Sequence, residues 1–396
     1  MIQISPETQL FIREHSSDDV RTLALQAKKY PDINMPTAIT QIAGRKVAAE
    51  KIPSWWEIEK IWYPKHLSLE QCSSEITARY KARLFQGDSL TDLTGGFGID
   101  CSFLATGFKS ATYVERQEEL CEIAAHNFPI LNLNHINVRN EDGVAYLQTM
   151  SPVDCIFLDP ARRNEHGGKT VSIADCEPNV AELEDLLLSK ASRIMIKLSP
   201  MLDLSLALKE LKHTQEVHIL SVNNECKELL ILLGQTSPTE ISSHCVNLST
   251  KGTQEEQHFV FTREQEQCSE CTYTDSLETY LYEPNASLLK AGAFRSIAAA
   301  YPVRKLHPNS HLYTSDTFIE NFPGRIFRIV NQCSFNKKEV KENLADLKKA
   351  NVTVRNFPAT VAELRKRLHL TEGGDTYLFA STLNNGQKVI IRCEKV

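Results

Sequence analysis

Apolar positions recur along this chain in two periods, and the switches between those periods divide it. Over the first 85 residues the spacing is helical. Ser5-Pro6 reads as a cap with proline at the first helical position, and Asp18-Asp19 open a stripe of Val20, Leu23, Ala24 and Ala27. Pro31, Pro36, Pro53 and Pro64 punctuate the next stretch, and Trp55, Trp56, Trp62 and Tyr63 read as anchors of a small helical domain, with a base-stacking surface as the alternative. Ser68-Leu-Glu-Gln71 has capping-box form and predicts one helix to about Phe85, with Leu69, Cys72, Ile76, Tyr80 and Leu84 inward and Gln71 and Thr77 on the other side. From Leu90 to about Gly234, strand-length apolar runs alternate with helical patterns, as in a parallel sheet with helices on both faces. Strands are expected at 89–92, 111–115, 136–140, 153–158, 193–198, 216–222 and 228–233. The last two lie too close for a crossover helix and predict an antiparallel hairpin turning at Asn223-Asn224.

Beyond that point the patterns shorten. Residues 235–275, rich in Thr, Ser, Glu and Gln, read as a connector with one strand at 258–262. A helix at 288–300 and a loop at 305–311 carrying His307 and His311 follow. The end of the chain reads β-α-β-α-β-β: a strand at 325–332, a helix at 337–349, a strand at 352–357, a helix with Val361, Leu364 and Leu368 inward, and a hairpin of 376–383 with 388–393. Asn385-Gly386 supplies its type I′ turn. Four regions result: a helical domain at 1–85, an α/β domain at 86–275, a small linking α+β segment at 276–324, and an α+β domain at 325–396.

The chemistry concentrates in Ser-Leu-Thr-Asp-Leu-Thr-Gly-Gly-Phe-Gly-Ile-Asp, residues 89–100. A strand carrying Asp92 breaks into Gly95, Gly96 and Gly98 before a helix begins near Asp100. That turn allows positive φ and offers bare backbone and free N–H donors to a ligand. A dinucleotide fingerprint would need a third glycine where Cys101 stands. An acid ahead of the glycines suits S-adenosylmethionine better, because a carboxylate can meet its ammonium while the loop meets its carboxylate. Glu115 ends the second strand, where an acid can take both ribose hydroxyls. Asp142 follows the third strand, near an adenine amino group, and Asp159-Pro160 ends the fourth. Ligands of open α/β sheets gather at that carboxyl edge. Gly168-Lys169-Thr170 fails as a phosphate loop because Arg163 stands where glycine belongs, and 164–168 reads instead as a flap over the site.

These residues resemble the successive motifs of class I S-adenosylmethionine-dependent methyltransferases, and the last third resembles bacterial methyltransferase-like proteins with a THUMP-like domain. The resemblance covers the chain from about Ser68 onward. It implies a Rossmann-like seven-stranded methyltransferase sheet, with an N-terminal helical segment and a C-terminal α+β (THUMP-like) domain. It also implies cofactor contacts at Asp92, Thr94, Gly95, Gly96, Gly98, Asp100, Glu115, Asp142 and Asp159. Catalytic roles fall to Asp159, Pro160 and Arg162, and substrate contacts to Arg163, Lys197 and Ser199. The amine-methylating pattern Asp/Asn-Pro-Pro-aromatic is replaced here by Asp159-Pro160-Ala161-Arg162, which leaves the target atom open. The expected activity is methylation of RNA at nitrogen. A small-molecule or protein methyltransferase, or a non-catalytic S-adenosylmethionine- or RNA-binding module, is the alternative.

Composition changes this picture in three places. No apolar run approaches the roughly 20 residues that cross a bilayer, and the start, Met-Ile-Gln-Ile-Ser-Pro-Glu, has no basic or apolar leader pattern; a cytoplasmic protein without a membrane partner is expected. Eleven cysteines scattered through predicted elements read as reduced thiols, and Cys268-Ser-Glu-Cys271 lacks the two further ligands of a zinc site, so no metal is expected. The net charge of −6 is unevenly spread: residues 285–369 hold fifteen Lys and Arg against six Asp and Glu, leaving 29 against 44 elsewhere. A basic C-terminal region on an acidic body suits a polyanion such as structured RNA, with Lys337, Lys338, Lys341, Lys348, Lys349 and Arg365, Lys366 and Arg367 as phosphate contacts; a solvated helical face is the plain alternative.

Overall fold

The computed structural model describes residues 4–162, 172–250 and 256–396, with the backbone alone of Arg162; Arg163 and the expected flap at 164–168 lie outside the described residues. The chain divides into two compact units, residues 1–215 with 229–238, and residues 216–228 with 239–396.

The first sheet is built from β1 (Gly87–Asp92), β2 (Phe108–Glu115), β3 (Ile136–Asn140), β4 (Val153–Leu158), β5 (Ala191–Leu198), β6 (Thr214–Val222), β7 (Glu225–Gly234), β8 (Ser242–Leu248) and β9 (Glu256–Thr262). Its order is β9-β8-β6-β7-β5-β4-β1-β2-β3. Strands β1 to β5 pair in parallel, and β7 runs antiparallel to β5. The parallel strands β1 to β5 thus follow the doubly wound Rossmann-like order expected. Asn223 and Asn224 take φ of 50° and 66°, the left-handed pair that a type I′ turn requires. Cys155, Ile156, Phe157 and Leu158 on β4, with Ile194, Met195 and Ile196 on β5, are almost fully buried, as strands covered on both faces must be.

Two strands extend the expected seven. Residues 235–275 are more than a connector: β8 lies parallel to β6, and β9 pairs antiparallel with β8. The sequence Ser-Ser-His-Cys-Val-Asn-Leu of β8 hid it, because its polar side chains interrupt the apolar run. The single helix expected from Ser68 is two, His66–Gln71 and Glu75–Leu84. The chain is extended at Cys72, and the break turns Ser73 onto Asp100, at 2.7 Å.

The second unit's other sheet comprises β10 (Tyr280–Pro284), β11 (Arg304–Lys305), β12 (Tyr313–Ser315), β13 (Gly324–Ser334), β14 (Asn351–Arg355), β15 (Thr376–Thr382) and β16 (Lys388–Lys395), in the order β11-β12-β10-β13-β16-β15-β14. The β-α-β-α-β-β succession stands, and Gly386 takes φ of 85° in the expected turn. Residues 280–315 contribute three strands to the same sheet, and Leu281, Leu306 and Leu312 share a core with Phe327, Phe379 and Ile391. The helix expected at 288–300 is broken at Gly292, whose φ of 79° makes it the cap of Ala286–Ala291. The helix expected at 337–349 stops at Leu344, where Leu347 folds back to donate its N–H to the Leu344 carbonyl at 3.1 Å.

Candidate active site

At the end of β1 three glycines serve two needs. Gly96 and Gly98 sit at φ of 54° and 86°, where other residues are strained, whereas a Cβ on Gly95 would lie 2.2 Å from the Tyr113 ring. The turn is fastened to its neighbours: Leu93 N–H donates to the Phe157 carbonyl at 3.0 Å, and Gly95 N–H to the Val114 carbonyl at 2.9 Å. Trp55 meets Phe97 edge-on at 5.2 Å, so the aromatic cluster of the N-terminal segment backs the turn.

Four acids surround this turn in different ways. Glu115 Oε2 accepts from Gly96 N–H at 2.9 Å and its Oε1 from Gln117 N–H at 2.8 Å. Asp142 caps the helix Gly143–Thr149, accepting from Val144 and Ala145 N–H, both at 3.0 Å. Gly143 beside it admits the carbonyl of Leu93, which would lie 2.2 Å from a Cβ. Asp92 is 1% exposed; its Oδ1 accepts from Thr94 N–H at 3.0 Å, and its Oδ2 has no hydrogen-bond partner among the described residues. Burial pushes this carboxyl well above its ordinary range. Thr94 in turn accepts the Asp159 N–H on its hydroxyl at 2.6 Å, which ties the end of β4 to the turn.

The fourth acid, Asp159, belongs to a buried ion network that spacing alone does not reveal. Lys197 Nζ stands 2.6 Å from Asp159 Oδ2 and 3.1 Å from Asp100 Oδ2, and Lys81 Nζ stands 3.1 Å from Asp100 Oδ1. Ser73 Oγ donates to Asp100 at 2.7 Å and accepts from Lys81 and Lys197 at 3.1 and 3.0 Å. Burial disfavours the charge on Asp100, but Lys197 and Lys81 outweigh it and hold the carboxyl below its ordinary value.

A cavity of about 460 Å³ opens at this edge, lined among others by Thr94, Gly96, Glu115, Asp142 and Asp159. Such a volume accommodates a nucleoside-sized ligand. Of the other expected residues, Asp92, Gly95, Gly98, Asp100, Pro160, Lys197 and Ser199 do not line the cavity, and Ser199 accepts from Met201 N–H at 3.3 Å. Gln71 reaches the cavity, while Thr77 is buried in its helix. The lining also includes Gln117, Leu147, Pro178, Asn179 and Leu183, which sequence reading passed over. Glu177-Pro178-Asn179 gave the one available signal, a proline and a helix-capping residue placed after the fourth strand.

Two family models match the chain, a ferredoxin-like domain over residues 280–323 and a THUMP domain-like unit over residues 324–395. No curated protein matches it. Among solved structures, a candidate methyltransferase from Porphyromonas gingivalis W83 is 34% identical over 100% of both chains, with a TM-score of 0.87. An rRNA methylase from Streptococcus thermophilus is 14% identical over 40% of this chain and 93% of its own, with a TM-score of 0.30. A candidate methyltransferase from Streptococcus mutans in complex with SAH is 12% identical over 40% of this chain and 96% of its own, also with a TM-score of 0.30.

Proposed function

Because the chain belongs to the class I S-adenosylmethionine-dependent methyltransferases that carry a C-terminal THUMP-like domain, we propose that it transfers the methyl group of S-adenosylmethionine to a nitrogen of structured RNA. In this reading residues 86–275 form the catalytic body, and the basic residues of 325–396 hold the substrate. One observation carries the cofactor assignment: the cavity at the carboxyl edge of the sheet is bounded by the left-handed Gly96, by Glu115 and by Asp142. A second supports it, the buried Asp92, one of whose carboxylate oxygens has no hydrogen-bond partner among the described residues, beside the same turn.

The residues present fit the group. Gly96 offers bare backbone, and an ammonium placed beside Asp92 would favour the charged form of the carboxyl that burial raises. Glu115 and Asp142 already accept backbone N–H groups, yet a carboxylate has about four acceptor sites and keeps capacity for ribose hydroxyls or an adenine amino group. When bound, S-adenosylmethionine supplies a methyl group activated by its sulfonium. The chain's own contribution is positioning, which lowers a barrier by about 7 to 11 kcal/mol, with a further ~100- to 10,000-fold from a placed acid or base. Asp159 accepts an N–H of the acceptor amine, and the Pro160 carbonyl accepts another. Burial pushes the Asp159 carboxyl above its ordinary value, and Lys197, 2.6 Å from its Oδ2, opposes that shift and aims the group. Arg162 or Arg163 takes a phosphate.

Lys337, Lys338, Lys341, Lys348 and Lys349 are all exposed, and Lys366 with them. Arg365 pairs with Glu372 at 3.1 Å and Arg367 lies over the Phe335 ring at 4.1 Å, so the lysines are the freer phosphate contacts. The missing aromatic after Asp159-Pro160 favours the rival reading, a small-molecule or protein substrate. Labelled cofactor incubated with total cellular RNA separates the two. The expected result is label in RNA that disappears with Asp159→Ala. Label only in protein or small metabolites refutes the RNA substrate, and absence of cofactor binding by calorimetry refutes the whole proposal.

A further inference from the structure

The second unit holds a cluster of metal-ligating side chains that the methyltransferase reading does not use. Glu216 and His218 are two residues apart on β6 and therefore share a face. Strand β8 pairs with β6 so that Ser242 lies beside Glu216 and His244 beside His218. Strand β9 sets Val260 opposite His244, which brings His258 diagonally onto the same face. Three neighbouring strands thus gather one carboxylate and three imidazoles. The His218 and His244 rings stack at 4.4 Å and 17°, and the His244 and His258 rings at 5.3 Å and 30°.

We propose that Glu216, His218 and His244 bind a divalent transition-metal ion of the zinc class, with His258 as the residue that orients His244. Tetrahedral coordination with bonds near 2.0–2.1 Å places donor atoms roughly 3.4 Å apart. Here Glu216 Oε2 lies 3.2 Å from His218 Nε2 and 3.9 Å from His244 Nε2, and one donor from each of the three falls within 4.8 Å of the others. The 3.9 Å separation is too long for a hydrogen bond and would close by about 0.5 Å on an ion held tetrahedrally. His244 Nδ1 meets His258 Nε2 at 3.2 Å, so an Nδ1–H donated there leaves Nε2 as the acceptor; that nitrogen meets the Ser242 hydroxyl at 3.1 Å, a contact the ion would replace.

Access agrees with this geometry. The His218 side chain is 2% exposed, that of His244 19% and that of Glu216 44%, which gives the ion a buried floor and an open side for water or another ligand. Two imidazoles and one carboxylate select zinc, nickel, cobalt or copper over magnesium or calcium. The ion would clamp β6 and β8 together.

Zinc titration of untagged, chelator-treated full-length protein tests this, with a chromophoric competitor reporting free metal. The Cys268→Ser/Cys271→Ser background removes the alternative thiol pair, in which Cys268 is exposed. The expected result is one equivalent bound in that background, with His244→Gln weakening it more than 100-fold and the exposed His258→Ala by about 10- to 100-fold, as loss of an orienting partner does. Cobalt in the same site shows visible d–d bands without thiolate charge transfer. Should His244→Gln disturb the fold, the cobalt spectrum and His258→Ala decide. No stoichiometric binding, binding indifferent to both histidine variants, or binding lost with the cysteines overturns the proposal.

Discussion

Lys197→Met removes the cation that joins Asp159 to Asp100, and its effect follows from the burial of the network. Breaking a buried ion pair by deleting one partner costs about 3 to 5 kcal/mol, because the other charge remains without compensation. Lys197 is 8% exposed and Asp100 10%, so solvent screens their contact little, whereas Asp159, 38% exposed, recovers water. Lys81 still stands 3.1 Å from Asp100, which places the loss at the lower end, about 3 kcal/mol. In a unit of this size each kcal/mol moves the melting temperature by about 2–4 °C, so a fall of about 6–12 °C is expected. Combined with Asp100→Asn, the loss is smaller than the two single losses added, by about 1 to 3 kcal/mol, since the first substitution already removes what the second would strand. The pH dependence has a definite sign. Asp100 is held below its ordinary value, so the network's stabilisation is present above the unfolded value near ~3.9 and lost as pH falls toward the folded one. The melting difference between wild type and Lys197→Met therefore narrows on acidification. A shift below about 2 °C at neutral pH, or strict additivity in the cycle, refutes the reasoning.

Other perturbations separate the roles of neighbouring groups. Asp92→Asn is expected to raise the melting temperature at neutral pH while weakening S-adenosylmethionine at least tenfold by calorimetry. Burial raises the folded value of Asp92, so its favourable contribution is complete below the unfolded value and disappears as pH rises; the advantage of Asn therefore grows with pH, and a less stable Asn variant at pH 8 contradicts this. Gly143→Ala sets a methyl 2.2 Å from the Leu93 carbonyl and costs about 1–3 kcal/mol, whereas Gly96→Ala finds its nearest neighbour at 3.8 Å and costs about 1–2 kcal/mol from φ alone; denaturant melts of both check the difference. Lys337→Glu/Lys338→Glu/Lys341→Glu is expected to flatten the salt dependence of bulk RNA binding in filter assays by about one logarithmic unit per lost phosphate contact, and an unchanged slope places RNA elsewhere.

The order of elements was readable because local chemistry produces it. A strand apolar on both faces, a glycine turn and a helix form β1 and its sequel whatever surrounds them, and Asn223-Asn224 and Asn385-Gly386 specify turns within a few residues. The acids at the strand ends were found by the same logic, since in a parallel sheet successive carboxyl ends share one edge. What escaped depended on contacts distant in sequence. Strand β8 is half polar and acquires its partners only from β6 and β9, so its periodicity was masked. The helix from Ser68 broke because Ser73 is drawn to Asp100, a residue 27 positions away. Lys197 and Asp100, read as a substrate contact and a cofactor contact, meet each other across 97 positions, and no spacing rule links them. The histidine cluster is the clearest case. Glu216 and His218 lie two residues apart in sequence, but His244 and His258 reach them only through strand register, because a sheet sets neighbours by hydrogen-bonded pairing of whole strands, a choice made by the assembled fold and by no single segment.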